Sequence, residues 1–403
     1  MNCRQCQHNN LTLIHDFGRL PLANFLTNTD RELASLYPLR FYMCSECLLG
    51  QTEDQVIPQE IFSDYRYTTS SSLTFLTHIK EFINSAEREN RVSKADYVLE
   101  IASNDGYLLE LLDKRGFKVL GVEPAKNIAN IAKRKNLNII NDFFTTGLAE
   151  DIFKTYGYPS LIVANNVLAH VPDILDFMRG ISKLVGPKTW VSIENPSIMG
   201  ILKGNQFDTI YHEHFSYLSV TSVHNLCQLT NLKLVDVSRV NIHGASNRYW
   251  IRSIDTPERS QSNSVSQLMD EEIFLGLNDA EVWRQASLNF TRAMQDFRDF
   301  IEDAESPTFG FGAAAKASTL INASKISSGK IAAIADNSSE KQGRFLPTSS
   351  IPIISPNELI SSEAKRIIIF PWNIKEELMK QLKSLGLGKI PQYILIPQLT
   401  KVS

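Results

Sequence analysis

An alternation of short apolar runs with helical segments, begun twice along 403 residues, constrains this chain more than any other feature. Tyr97-Val98-Leu99-Glu100-Ile101 reads as a strand, 108–112 as helix, 118–123 as the next strand and 125–134 as the next helix. Residues 161–165 and 190–194 supply further strands. Strands separated by helices pair in parallel, so a doubly wound α/β sheet is expected. The rhythm restarts with strand 308–312, helix 313–321 and strands 331–335 and 366–370. That predicts a second Rossmann-like α/β domain. Ahead of the first sheet, Leu73, Leu76, Ile79, Phe82 and Ile83 recur at helical spacing. Between the two series, 255–264 reads as a polar linker and 266–304 as helix. Single cores stop growing near about 250–300 residues. The expected domains are 1–65, 66–255 and 256–403.

The first 65 residues hold no such rhythm. They hold Cys3, Cys6, Cys44 and Cys47, two Cys-x-x-Cys pairs. Two such pairs closing on each other offer four thiolates in a tetrahedron, which suits structural zinc. A dithiol redox pair and an iron–sulfur cluster are the alternatives. The stretch between the pairs is filled by short strands, at 11–15 and 40–44. With four thiolates in place, His8 and His15 are expected at the surface. Cys227 sits in an apolar helical pattern and reads as a core residue.

Net charge is −3, which argues against nucleic acid or an anionic membrane as the main partner. No apolar run reaches the roughly 18–20 residues of a membrane span, and the first residues lack a signal-peptide core. A cytoplasmic protein is expected, and a monomer suits three packed domains.

Strand 97–101 runs into Ala102-Ser103-Asn104-Asp105-Gly106 and then a helix. Small residues at the carboxyl end of a first strand let a ligand approach the backbone. The second strand ends in Glu123, placed to accept hydrogen bonds from ribose hydroxyls. This layout serves dinucleotides and S-adenosylmethionine alike. Of the glycines in a dinucleotide loop only Gly106 remains, and Asp105 would repel a pyrophosphate. A cationic sulfonium tolerates nearby carboxylates, so S-adenosylmethionine is the expected cofactor. Glu100, Ala102, Asn104, Asp105, Gly106, Glu123 and Asn165 are its candidate binding residues.

Tyr211-His212-Glu213-His214 places two of the chain's 8 histidines beside a carboxylate and a phenol. Imidazole titrates near neutrality and suits proton abstraction. The alternatives are a solvated loop and a His-x-His metal pair.

Three segments carry a family resemblance: Glu100-Ile-Ala-Ser-Asn-Asp-Gly106, Asn165-Asn-Val-Leu-Ala-His170-Val-Pro-Asp173 and Asp208-Thr-Ile-Tyr-His-Glu-His-Phe-Ser-Tyr217. They resemble the S-adenosylmethionine-dependent sugar-nucleotide 3-C-methyltransferases. The paired cysteines resemble that family's zinc domain. Gly310-Phe-Gly-Ala-Ala-Ala-Lys316 and Asp336-Asn-Ser-Ser-Glu-Lys-Gln-Gly343, with Pro371-Trp-Asn373, resemble its C-terminal domain. The likeness runs the length of the chain in one order. It implies methyl transfer to carbon 3 of a 4-keto-deoxy sugar nucleotide through an enolate, in branched deoxysugar biosynthesis. His214 would be the base, with His212 as runner-up. Tyr211 and Glu213 would hold the sugar or polarise the ketone, and His170 would complete the pocket. By its own residues the loop Gly310–Lys316 could cradle phosphates through backbone amides and Lys316 at a helix N-terminus. Gly312 and Lys316 are then candidates for the nucleotide sugar, with His243 and Asn247 facing the same cleft, and a second cofactor or plain packing of helix on strand are the alternatives. Two other readings stand beside it: an O- or N-methyltransferase of another small acceptor, and a non-catalytic zinc-bearing binding module.

Overall fold

The computed structural model describes residues 1–62, 70, 72–242, 244–256, 261–304, 307–326 and 329–403. The chain forms two compact units that interleave in sequence. One takes 1–12, 43–198 and 215–278, and the other takes 13–42, 199–214 and 279–403.

The first unit is built on a seven-stranded sheet. Its order is Leu232–Val240, Ser246–Ser253, Trp190–Pro196, Leu161–Asn165, Tyr97–Ile101, Lys118–Val122 and Ile139–Ile140. The last five run parallel to one another. Parallel strands covered on both faces need side chains that bury in either direction. Val98, Leu99, Ile162 and Val163 are accordingly fully buried. The two strands at the other edge are antiparallel, and the sequence reading missed them. Strand 232–240 carries Lys233, Asp236 and Arg239, and its register shifts between Leu234 and Asp236, so its alternation is broken.

Helix starts are chemically marked. Ser72 accepts the Phe75 amide ahead of helix Leu73–Arg88. Thr145 caps Thr146–Tyr156, and Asp173 caps Ile174–Leu184. Each side-chain oxygen satisfies an amide that the helix leaves unpaired. Helix 73–88 buries Phe75, Ile79, Phe82, Ile83 and Ala86, the stripe its spacing predicts.

The second unit carries a six-stranded sheet in the order Ile353–Ile354, Ile331–Ala335, Thr308–Phe311, Arg366–Ile369, Gln392–Ile394 and Thr400–Lys401. All but the last run parallel. The helical stretch expected at 266–304 is two helices, Asn263–Phe274 and Ala280–Glu302. Gly276 breaks it with a left-handed backbone, φ +81°, and Asp279 caps the second helix. That helix buries Trp283, Phe290 and Phe297. Phe207 lies against Phe17 and Phe290, with ring centroids 6.2 and 5.4 Å away. This aromatic cluster fixes the start of the segment that bears Tyr211 to His214.

In the first unit, Glu194 on strand 190–196 is buried with His78 and Arg248. His78 Nε2 lies 2.7 Å from one carboxylate oxygen, and Arg248 donates to the other at 2.6 and 3.0 Å. Burial works to raise the Glu194 carboxyl, but the His78 hydrogen bond and the Arg248 charge outweigh it and hold it below the ordinary range. A carboxylate held low stabilises the fold above the normal carboxylate range and stops doing so as the pH falls through its own value. Glu194→Gln leaves the Arg248 charge buried without its partner. Urea unfolding at neutral pH should show a loss of about 3–5 kcal/mol.

Candidate active site

The strand order of the first unit reverses beside Tyr97–Ile101, and ligands of open α/β sheets bind outside the strand ends at such a point. The turn there is tight. Ala102, Asn104 and Gly106 all have left-handed backbones, φ +53°, +51° and +74°. A Cβ on Gly106 would come within 2.5 Å of Leu137 Cδ1, so only glycine lets helix Tyr107–Lys114 start here. Glu123 is buried at the end of the second strand. It accepts the Asn104 amide at 2.9 Å and the Ala125 amide at 2.8 Å. Burial raises its carboxyl, and these two amides oppose the shift.

A cavity of about 290 Å³ opens at this point. Ala102, Asn104, Glu123, Asn165 and His170 line it, as the sequence reading placed them. Phe75, Phe143, Phe144 and Asn166 also line it and were missed. The two phenylalanines follow the third strand, Ile139–Ile140, at its carboxyl end, and that position was their signal. Apolar rings suit a purine, and a carboxylate at the second strand suits a ribose.

Glu100, Asp105 and Gly106 support the turn rather than line the cavity. Glu100 is buried, and its Oε2 has no hydrogen-bond partner among the described residues. Burial pushes its carboxyl well up, and the nearby charges of Asp105 and Glu123 push it further. Lys135 donates to the Asp105 carbonyl at 2.8 Å, its Nζ 3.8 Å from the carboxylate. A surplus of buried carboxylate around one turn fits a cationic ligand, and S-adenosylmethionine carries its charge at the sulfonium and the ammonium.

The four cysteines meet in the first unit. Their sulfurs all lie within 4.8 Å of one another, with Cys3–Cys47 and Cys6–Cys44 each at 3.5 Å. Tetrahedral zinc with Zn–S near 2.3 Å sets its sulfurs roughly 3.8 Å apart, so the set fits. Both knuckles have one geometry. The Gln7 amide donates to the Cys3 carbonyl and the Leu48 amide to the Cys44 carbonyl, and Gln7 and Leu48 are both left-handed. All four positions are thiolate, which makes the site closed and structural. His8 is exposed, and His15 lies in the second unit, hydrogen-bonded to Ser287 at 2.7 Å. Cys227 is fully buried in the core.

The acid/base stretch belongs to the second unit, in a turn after the 3-10 segment Phe207–Thr209. His214 Nδ1 lies 2.8 Å from the Thr209 carbonyl, so Nδ1 carries the proton and Nε2 presents a lone pair. Tyr211 Oη lies 2.9 Å from that Nε2, with the two rings stacked at 4.1 Å. His212 is buried, and its Nε2 lies 3.2 Å from the carbonyls of Tyr37 and Pro38. Burial makes it harder to protonate. Glu213 accepts the Asn24 amide at 3.0 Å and its side-chain nitrogen at 3.3 Å. The cluster therefore divides. Half-buried Tyr211 and buried His214 form a dyad, while His212 and Glu213 tie the turn to residues 24–38.

The other substrate candidates fall in different units. Asn247 is buried on strand 246–253 of the first unit, its amide 3.3 Å from Tyr249 Oη. His243 lies outside the described residues. In the second unit Gly312 is left-handed, φ +88°, and a Cβ there would meet Pro371 at 2.4 Å. Its amide donates to Ala335, and the Ala313 amide donates to Asp336 Oδ2 at 2.8 Å. The first two amides of the expected phosphate loop are thus already engaged. Lys316 Nζ lies 3.1 Å from Asn373 Oδ1 and 4.2 Å over the Trp372 ring.

Three family models match in sequence: a zinc binding domain over residues 3–62, a methyltransferase domain over 75–237 and the C-methyltransferase C-terminal domain over 241–395. C-methyltransferase NovU of Streptomyces niveus is 30% identical over 386 residues, covering 94% of this chain and 92% of its own. The chain belongs to this C-methyltransferase family. A ubiquinone biosynthesis O-methyltransferase of Leptothrix cholodnii is 26% identical over 42% of this chain and 77% of its own. Among solved structures, the CcbJ methyltransferase of Streptomyces caelestis is 13% identical, covers 50% of this chain and 96% of its own, and has a TM-score of 0.36. The protein is an S-adenosylmethionine-dependent C-methyltransferase with a zinc-binding domain, so the non-catalytic reading is excluded. Among the described residues, no helix is long and apolar enough to cross a membrane.

A cation bound beside Glu100 favours its ionised form. Binding then releases a proton, and affinity for S-adenosylmethionine should climb with pH through a range above the ordinary carboxylate value. Glu100→Gln should flatten that dependence. Calorimetry in buffers of different ionisation enthalpy reads both affinity and proton release.

Proposed function

We propose that this enzyme methylates carbon 3 of a nucleotide-linked 4-keto-deoxy sugar through an enolate, in branched deoxysugar biosynthesis. The observation that carries the reading is the Tyr211–His214 dyad. Carbon methylation needs a carbanion equivalent, and a proton beside a ketone is acidic enough for imidazole to remove. An O- or N-methyltransferase has no carbon-acid proton to take, and the likeness to C-methyltransferases supports a carbon acceptor over a hydroxyl or amine for the same base.

In this reading the Thr209 carbonyl holds His214 in the tautomer whose Nε2 is basic. The Tyr211 hydroxyl rests on that nitrogen. When the ketone binds, the hydroxyl turns to donate to its oxygen, which leaves Nε2 to accept the carbon-3 proton. The C–H pair enters the enolate, whose negative oxygen is stabilised by the phenol. S-adenosylmethionine, when bound, would supply the methyl to carbon 3, its S–CH3 bonding pair leaving on the thioether of S-adenosylhomocysteine. His212 and Glu213 hold the turn that aims the dyad. Asn104 and Glu123 bind the cofactor, Glu100 and Asp105 back the turn that carries them, and Lys316 contributes a positive charge for the nucleotide diphosphate. His170 completes the pocket wall. The enzyme acts in the cytoplasm as a monomer.

The product decides the reaction. With cofactor labelled at its methyl carbon and a panel of nucleotide-linked 4-keto-deoxy sugars, NMR should place the label on a quaternary carbon 3. A label on oxygen would exclude the reading. His214→Asn should lower kcat by about 10²–10⁴ and leave the cofactor dissociation constant alone. His212→Asn should have a smaller effect on kcat, since its ring is committed to two backbone carbonyls.

A further inference from the structure

The zinc knuckle does more than close on itself. Arg4 stands between two of the cysteines, and its side chain is only 8% exposed. Its guanidinium donates to the Pro172 carbonyl at 2.8 Å, the Thr52 carbonyl at 2.8 Å and Asp54 Oδ1 at 2.8 Å. Its own amide donates to Gln51 Oε1 at 2.9 Å. The guanidinium also lies 5.5 Å from the Phe215 ring centroid. All these residues lie in the first unit.

Pro172 is not an arbitrary acceptor. It stands in the turn that follows the 3-10 segment Leu168–His170, and His170, Val171, Pro172 and Asp173 all line the cofactor cavity. Among the described residues, contacts from outside the turn reach it at both ends and in the middle. The Phe215 amide donates to the Ala169 carbonyl at 2.8 Å at one end. Asp173 caps helix 174–184 at the other. Arg4 holds the middle. A turn that has lost its middle contact can lift from the cavity while both ends stay in place.

We infer that Arg4 is a positioning residue that couples the zinc centre to the wall of the cofactor cavity. The zinc ligands on either side fix the backbone of residue 4, and that backbone aims the guanidinium. The planar fork then spans two carbonyls on different segments, which a flexible ammonium cannot do equally well. Charge-assisted bonds of this kind are roughly twice as strong as neutral ones. Asp54 is 59% exposed, so its share is small. The metal's contribution to cofactor binding thus passes through one side chain, and it is independent of which group takes the substrate proton.

The test uses the full-length, zinc-loaded protein. Arg4→Ala should weaken S-adenosylmethionine binding about 5- to 20-fold while retaining one zinc per chain by elemental analysis. Peptide-level hydrogen exchange should lose protection over 167–173 and keep it over the central strands. Asp54→Asn should match the wild type. Chelating zinc from the wild type should weaken binding, and chelating it from Arg4→Ala should add little. An unchanged dissociation constant and unchanged exchange in zinc-loaded Arg4→Ala would overturn the inference. So would protection lost evenly across the whole sheet. Should Arg4→Ala fail to keep its zinc, Arg4→Lys decides: it should bind the cofactor more weakly than wild type at full zinc content, and equal binding would overturn the inference.

Discussion

A parallel strand can rejoin its sheet only by crossing over, and at Tyr97–Ile101 the crossings leave toward opposite sides. Strands 118–122 and 139–140 build one way, while 161–165 and 190–196 build the other. The loops after adjacent strands therefore part, and a cavity is left between them. The cavity and the loops that line it hang on this reversal. The turn 102–106, the acid at 123 and the segment 165–173 are three loops of one sheet edge. The glycine at 106 and the left-handed residues at 102 and 104 are the local cost of turning so sharply at that edge.

The second dependency is the exchange of segments between units. Residues 13–42 and 199–214 belong with the C-terminal α/β unit although they are distant from it in sequence. Phe17 and Phe207 are drawn there by the aromatic face of helix 280–302. Asp208 follows, fully buried, and accepts the Trp372 indole N–H at 2.7 Å. Burial raises its carboxyl, and the Lys316 charge and the indole oppose that shift. The turn that bears His214 is thus gripped by side chains from far along the chain. That is how an imidazole can be held in a fixed tautomer without belonging to any strand or helix.

Much of this was legible. Strands buried on both faces read as continuous apolar runs, so 97–101, 161–165 and 331–335 were found. The cysteine spacing pointed to the zinc-binding domain, and the small residues after 101 with the acid at 123 pointed to the sheet edge where the cavity opens. What was hidden has a common cause. The division of the Tyr211–His214 cluster depends on Asn24, Tyr37 and Pro38, more than 170 residues away, and no local pattern reports such partners. The antiparallel strands 232–240 and 246–253 were hidden by a register shift and by charges on the first of them. The break near Gly276 was hidden because helix formers stand on both sides of a short connection, and the left-handed glycine is a local mark of it. The engagement of the Ala313 amide by Asp336 joins two strand ends and is likewise invisible to spacing.

The central claim is that His214 removes a proton from carbon. It can be isolated from methyl transfer by replacing the cofactor with its demethylated product. With that product bound, a nucleotide-linked 4-keto-deoxy sugar in deuterium oxide should exchange its carbon-3 proton on the wild-type enzyme, followed by NMR. His214→Asn should slow this exchange by about 10²-fold or more, and Tyr211→Phe should slow it less. Exchange at the wild-type rate in His214→Asn, with the protein folded and the cofactor product bound, would contradict the account.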